Sequence, residues 1–181
     1  MDSRIEDMRA ERPADGEYAA FYAPYVERVP DGDVVETLVR GGDEMRRLLG
    51  GLAETQAEHA YAPGKWTIKQ VVGHVADSER VFAYRALRIA RGDETPLPGF
   101  DEKTYAPAGE FGARSLSDLL DEFSAVRAAT VALLRGFPPA AWSRRGTASG
   151  QPVTVRGLAW ITAGHALHHR AILKERYGVG Q

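Results

Sequence analysis

Apolar side chains recur every three or four positions along four stretches of this chain, which is the spacing of one face of an α-helix. Ser, Thr or Asp precedes each stretch, and such residues cap the first turn of helices. Gly or Pro follows, as is typical where helices end. The pattern predicts four long helices, over Asp33–Leu52, Thr67–Arg91, Ser115 or Ser117 to Phe137, and Thr154–Gly178.

The connections between the predicted helices differ in character. Residues 93–115 are too rich in Pro and Gly to predict regular structure. Residues 144–155 allow two short extended pieces or a hairpin, and Gly41-Gly42 predicts a kink or fray in the first helix. Four helices of this length with two long connections predict an all-α four-helix bundle that is not simply up-down-up-down. We expect one domain over residues 1–181, with residues 1–30 as an aromatic extension that packs on the bundle.

Composition narrows the class of protein. The chain is 44% hydrophobic and 27% charged, with a net charge of −2 at pH 7 and no basic run, so we expect no nucleic-acid partner. No apolar stretch reaches the roughly 20 residues that span a bilayer, and the N-terminus lacks the apolar region of a secretory signal. The absence of cysteine excludes disulfides and thiolate ligands. We therefore expect a cytoplasmic protein, and any metal must bind nitrogen or oxygen.

Three of the five histidines fall within GHALHHRAI, residues 164–172, in the fourth predicted helix. At about 100° per residue, His165 and His169 point with the apolar stripe toward the bundle interior, whereas His168 lies on its shoulder. Side chains four residues apart stand one above the other, so this pair can reach one cation. The alternative for each is a core histidine that is hydrogen-bonded to the backbone.

His74 lies at the edge of the apolar stripe of the second predicted helix. Bundles build metal sites from inward side chains on facing helices, so His74, His165 and His169 form a candidate three-nitrogen set that leaves a coordination position open. Asp77 could orient an imidazole, contact substrate or close the site as a fourth ligand, although a solvated acid is the simpler interpretation. His59 is expected at the surface.

Other motifs are weaker. GTASG lacks the lysine and the context of a phosphate-binding loop, and no G-x-S-x-G nucleophile motif occurs. Ala166 stands where the glutamate base of H-E-x-x-H would be. The pairs Glu79-Arg80 and Arg85–Arg88 are interpreted as ordinary exposed charges.

The run from APGKW to KTYAP (residues 62–107), with its GHVADSE, and the H-x-x-H-H pattern of the last helix resemble the DinB-like superfamily, in its branch of YfiT-like metal-dependent hydrolases. The resemblance spans residues 24–177. It implies an up-down-down-up four-helix bundle, often homodimeric, that binds nickel or zinc through His74, His165 and His169. Related proteins transfer low-molecular-weight thiols.

On this basis we expect a metal-dependent enzyme with a small-molecule substrate. The ion would activate a low-molecular-weight thiol cosubstrate for transfer to an electrophile, or activate water for hydrolysis. The rival is a non-catalytic binding or stress-response bundle with a structural ion. The loop Thr95–Pro107 is expected to form part of the substrate mouth, with Asp101 and Tyr105 as candidate catalytic residues or as a cap on the core. A homodimer is expected, with the aromatic segment Phe21–Tyr25 as its candidate partner surface.

Overall fold

Each of the four long helices begins at a polar side chain that accepts hydrogen bonds from its first turn, as the sequence predicts. The structure, a computed structural model, describes residues 8–180. The helices are α1 (Ala23–Val26), α2 (Val34–Leu49), α3 (Glu54–Ala57), α4 (Ile68–Ala90), α5 (Glu102–Ala108), α6 (Leu116–Arg135), α7 (Pro139–Trp142) and α8 (Val155–Glu175). The described residues also contain two 3₁₀ turns (Ala20–Tyr22 and Phe111–Ala113), two strands, β1 (Arg145–Ala148) and β2 (Gln151–Thr154), and a helical stretch at residues 8–10.

The long helices α2, α4, α6 and α8 form a four-helix bundle. Both α2 and α4 pack against α6 and against α8, so α2 and α4 occupy opposite corners. The N-terminal halves of α4 and α6 share one apolar cluster with the C-terminal halves of α2 and α8, and the opposite halves share a second. Helices α4 and α6 therefore run parallel to each other and antiparallel to α2 and α8. This is the up-down-down-up order, and the prediction of an all-α bundle is confirmed.

One of the two long connections, residues 93–115, differs from its prediction, and the other, residues 144–155, agrees with it. Residues 93–115 contain the two-turn helix α5, so the prediction of no regular structure there is wrong. The side chain of Asp101 accepts a hydrogen bond from the N–H of Lys103 and begins this helix, and Pro107 lies in its last turn. Strands β1 and β2 pair as an antiparallel hairpin, which is one of the two predicted forms.

Helix α2 runs unbroken through Gly41-Gly42, so the fray that was one of the two predictions does not occur there. The two glycines lie against the side chain of Arg127 on α6, and an added Cβ at Gly42 would come within 3.2 Å of it. An Nη atom of Arg127 donates to the carbonyl of Leu38 at 2.6 Å. The missing side chains therefore make room for a buried guanidinium.

The acid that Arg127 pairs with is Glu79, which is only 2% exposed, so its interpretation as a surface charge is wrong. Three N–H···O contacts of 2.8–3.1 Å join the two side chains across α6 and α4. Arg85 is also buried, at 2% exposed, and donates to the carbonyl of Pro98 and to Ser149 Oγ. The partners of Glu79 and Arg85 lie 13 or more residues away in the sequence, so helical periodicity could not reveal that these two side chains are buried.

The described part of the N-terminal segment, residues 8–31, packs on the bundle. Arg12 donates to the carbonyls of Val26 and Val29, and Arg156 at the start of α8 pairs with Glu17. The remainder of the predicted extension, residues 1–7, lies outside the described residues. Within residues 8–180, no helix combines the length and the apolar character needed to span a membrane.

Glu79→Ala should lower the free energy of unfolding by about 3–5 kcal/mol, because it leaves the Arg127 charge buried without its partner. Asp121→Ala is the matched control, since it removes an exposed partner of Arg46 and should cost at most about 1 kcal/mol. Urea denaturation measures both. Equal losses in the two variants would show that burial does not strengthen the Glu79–Arg127 pair.

Candidate metal centre

Three imidazoles from two antiparallel helices converge in the middle of the bundle. His74 comes from α4, and His165 and His169 come from one face of α8. Nε2 of His74 lies 3.0 Å from Nε2 of His165, and the ring nitrogens that the three can offer all lie within 4.8 Å of one another. The ring planes meet at 65–70°, with centroids 4.5–4.9 Å apart. The face of α8 that helical geometry selects is therefore the face that meets His74.

Burial makes these imidazoles neutral. They are 6%, 6% and 8% exposed, and they lie where the two apolar clusters of the core meet. Desolvation lowers the pKa of His74 to about 4. The same effect, with the neighbouring histidines adding to it, holds the pKa values of His165 and His169 well below their usual range. Neutral imidazole is the form that binds a transition metal.

The donor set fits a divalent transition metal. Two nitrogens on one tetrahedral zinc, each at 2.0–2.1 Å, lie roughly 3.4 Å apart, close to the separation of His74 and His165. Ser78 Oγ lies 3.4 Å from Nδ1 of His74 and can accept a hydrogen bond from Nδ1–H, which leaves the Nε2 lone pair free for a cation. Without a cation, the 3.0 Å contact is a hydrogen bond in which one Nε2–H donates to the other Nε2, and a shared cation would take the place of that proton. Among residues 8–180, no fourth His, Asp or Glu belongs to this group.

A cavity of about 360 Å³ leads to the histidines, and most of its walls are aromatic. Its volume suits a small molecule rather than a polymer. The side chain of Trp66 lies over His74 with ring centroids 4.7 Å apart, and Tyr25 meets His165 edge-on at 5.5 Å. The lining residues are Phe21, Tyr22, Tyr25, Trp66, His74, Ser78, Phe82, Phe100, Glu102, His165 and His169.

A glycine lets the N-terminal segment form this wall. Gly164 lies directly before His165, and a Cβ added to it would come within 2.0 Å of the carbonyl oxygen of Tyr25. Any other residue there would push the backbone of Tyr25 away from α8. The segment therefore reaches the centre because α8 has no side chain at that position.

The structure places the other predicted site residues away from the histidines. Asp77 is half-buried and pairs with Arg80, and burial raises its pKa. The side chain of Asp101 caps α5, and Tyr105 is exposed and packs against Phe100. None of the three lines the cavity. His168 is half-buried against Tyr25, and His59 is exposed, as expected for each.

The loop does reach the cavity, but through two other residues. Phe100 and Glu102 flank Asp101 and both line the cavity. The carboxylate of Glu102 opposes the lowering of the pKa of His74. Sequence reasoning also missed Trp66, whose position directly before the N-cap of α4 was the only signal for it. Tyr22 and Tyr25 were interpreted from the sequence as part of a candidate partner surface, whereas in the structure they line the cavity. Their place beside α8 could not be predicted, because it depends on contacts that span the chain.

The comparisons with known proteins agree with this geometry. The profile of the DinB superfamily matches residues 37–173. A protein of Bacillus pumilus (strain SAFR-032) named "Putative metal-dependent hydrolase" is 30% identical over 144 residues, which cover 78% of this chain and 81% of that protein. YfiT of Bacillus subtilis (strain 168), which carries the same description, is 24% identical over 73% of this chain and 75% of its own length.

Two solved structures share the fold. That of Bacillus subtilis YfiT, described as a probable metal-dependent hydrolase with an unusual four-helix bundle topology, superposes with a TM-score of 0.65 at 20% identity, over 97% of this chain and 98% of that one. A mycothiol-dependent maleylpyruvate isomerase superposes with a TM-score of 0.65 at 18% identity, over 90% of this chain and 65% of that one. The matched profile covers most of the chain and both helices that carry the histidines. The chain therefore belongs to the DinB superfamily.

Proposed function

We propose that this chain is a metal-dependent enzyme that acts on a small molecule, with His74, His165 and His169 as the ligands of zinc or nickel. The observation that carries the proposal is the convergence of three buried, neutral imidazoles at a cavity of about 360 Å³. The names of the similar proteins support metal dependence. A purely structural ion would be expected to have a fourth protein ligand, and the described residues offer none in the group.

The preferred reaction is the transfer of a low-molecular-weight thiol to an electrophile. When bound, a divalent ion lowers the pKa of a thiol or of water and polarises an electrophile. The chain has no cysteine, so the thiol would enter as a cosubstrate. The aromatic walls would exclude water from the thiolate, and Ser78 would hold His74 in one orientation.

Hydrolysis of a small ester or amide is the second candidate, and Glu102 is the observation that favours it. This carboxylate lies in the wall of the cavity and can accept a proton from a nucleophilic water. The names of the similar proteins point in the same direction. A proton acceptor is less necessary for a thiol, whose pKa is far closer to neutrality.

His165→Ala should abolish stoichiometric metal binding, because it removes the imidazole that lies closest to His74. His168→Ala is the matched control on the same helix and should retain at least half of the metal, since its ring lies against Tyr25. Elemental analysis of the purified proteins measures both. Equal loss from the two variants would show that the ion binds a different face of α8.

Metal affinity should change little between pH 7.5 and pH 6.0. Three imidazoles of ordinary pKa would lose roughly 50-fold over that range through protonation, but these three stay neutral because burial lowers their pKa values. The metal-free protein should lose stability as the pH falls below about 6.5. In that range the three histidines bind protons in the unfolded chain but stay neutral in the folded protein. Calorimetric titration with zinc at the two pH values, corrected for buffer ionisation, tests the first statement. A 50-fold fall would contradict it.

The reaction is tested by loading the protein with zinc or nickel and measuring thiol conjugation to monochlorobimane, with p-nitrophenyl acetate hydrolysis as the parallel assay. We expect conjugation with at least one low-molecular-weight thiol. Asp101→Ala should lower turnover with little change in melting temperature, because the Asp101 side chain caps the helix that carries Glu102. Tyr105→Phe should leave turnover unchanged, because it keeps the ring that packs against Phe100. If the metal raises the rate in neither assay, the proposal of a metal-dependent enzyme is rejected in favour of a metal-stabilised bundle without catalysis.

A further inference from the structure

A second cavity, of about 630 Å³, lies beside the first and shares walls with it. Trp66 and His169 line both cavities. Because His169 is one of the three converging histidines, a molecule in the second cavity would end at the candidate metal centre. The two cavities are therefore adjacent, with Trp66 and His169 in the wall between them.

The second cavity is positively charged. Lys65 and Lys103 line it, and no Asp or Glu does. The chain has only four lysines against 25 acidic residues. Two of the four lysines nevertheless line a cavity that no acidic residue lines. Lys69, by contrast, is buried between Glu54 and Glu58. Neither Lys65 nor Lys103 makes an ion pair with any residue in the part of the chain that the structure describes.

A third donor completes the set. The side-chain oxygen of Gln70 accepts a hydrogen bond from the N–H of Thr67 at 2.9 Å, as part of the capping box of α4. That bond occupies the side-chain oxygen, so the group that Gln70 can offer to a ligand in the cavity is its NH₂ donor. Two ammonium groups and one amide thus offer only donors, which is the arrangement that recognises a carboxylate or a phosphate.

The walls that carry these donors are held in place. The hydroxyl of Tyr177 donates to the carbonyl of Trp66 at 2.6 Å, and Tyr61 packs edge-on against Tyr177 at 5.0 Å. On α5, consecutive residues serve the two cavities, because Glu102 lines the first and Lys103 lines the second. A molecule could therefore place an anionic group against the lysines while its reactive end lies at the histidines.

We propose that the second cavity is the subsite for the anionic part, a carboxylate or phosphate group, of the small molecule that reacts at the histidines. The statement that the bound molecule reacts at the histidines rests on the proposed function, whereas the statement that the second cavity binds an anion does not. The apolar wall formed by Val71, Ile172 and Pro107 would hold the carbon skeleton that joins the two ends. Either the thiol or the electrophile can supply the anion, and both sources share this chemistry.

Calorimetric titration of the zinc-loaded protein with succinate, and with neutral succinamide of nearly the same shape, tests the subsite. Succinate should bind at least tenfold more tightly than succinamide. Lys65→Gln and Lys103→Gln should each weaken succinate binding roughly tenfold, because each removes a charge-assisted contact. Lys103→Arg should retain most of the binding. Lys174→Gln is the matched control, since it removes a lysine that lines neither cavity. Lys65 and Lys103 are exposed, so the variants should fold.

A double variant combines Lys65→Gln with Lys103→Gln. If it binds succinate as tightly as the unchanged protein, the anion binds the metal and the subsite is overturned. Equal affinity for succinate and succinamide would also overturn the subsite. The link to catalysis is read separately in the thiol-conjugation assay. There the double variant should raise KM for mercaptosuccinate roughly tenfold or more and leave KM for 2-mercaptoethanol unchanged. Lysine-dependent succinate binding without conjugation of any thiol would support the subsite and reject thiol transfer.

Discussion

Antiparallel packing of α4 against α8 brings His74, near the start of one helix, to the level of His165 and His169, in the second half of the other. That single contact sets the geometry of the centre, and it also sets its electrostatics, because the interface lies where two apolar clusters meet. Burial desolvates the imidazoles there, so they stay neutral and their lone pairs can bind a cation. A metal bound between these helices would also join the two halves of the core, and part of its binding free energy would appear as stability.

The up-down-down-up order has a further effect on the site. Because α4 and α6 are parallel neighbours, the chain must return along the length of the bundle between them. That return supplies Phe100, Glu102 and Lys103, which line the two cavities. Arg85 holds the return against the turn of the β1–β2 hairpin. A simple up-and-down bundle with short turns would have the same four helices and no such wall.

The sequence predicted what depends on local periodicity. Caps and apolar spacing were sufficient to predict the four long helices, and the angular positions of His165 and His169 were sufficient to select their face. The sequence did not predict what depends on distant partners. Glu79 has the local pattern of a surface acid, and only Arg127, 48 residues further on, explains its burial. Helix α5 was missed because its stability comes from one cap and from packing on α4, whereas its composition resembles that of a loop.

The close approach of Tyr25 to Gly164 means that the cavity is built from two parts of the chain, the N-terminal segment and the helix bundle. The superfamily profile begins at residue 37, so all three histidines lie inside it, whereas Phe21, Tyr22 and Tyr25 lie before it. One wall of the cavity is thus supplied by a segment outside the region that defines the superfamily. Substrate range could diverge by exchange of that segment while the metal chemistry stays constant. For directed evolution, a library confined to these three aromatic positions would vary what enters the cavity and leave the three histidines untouched.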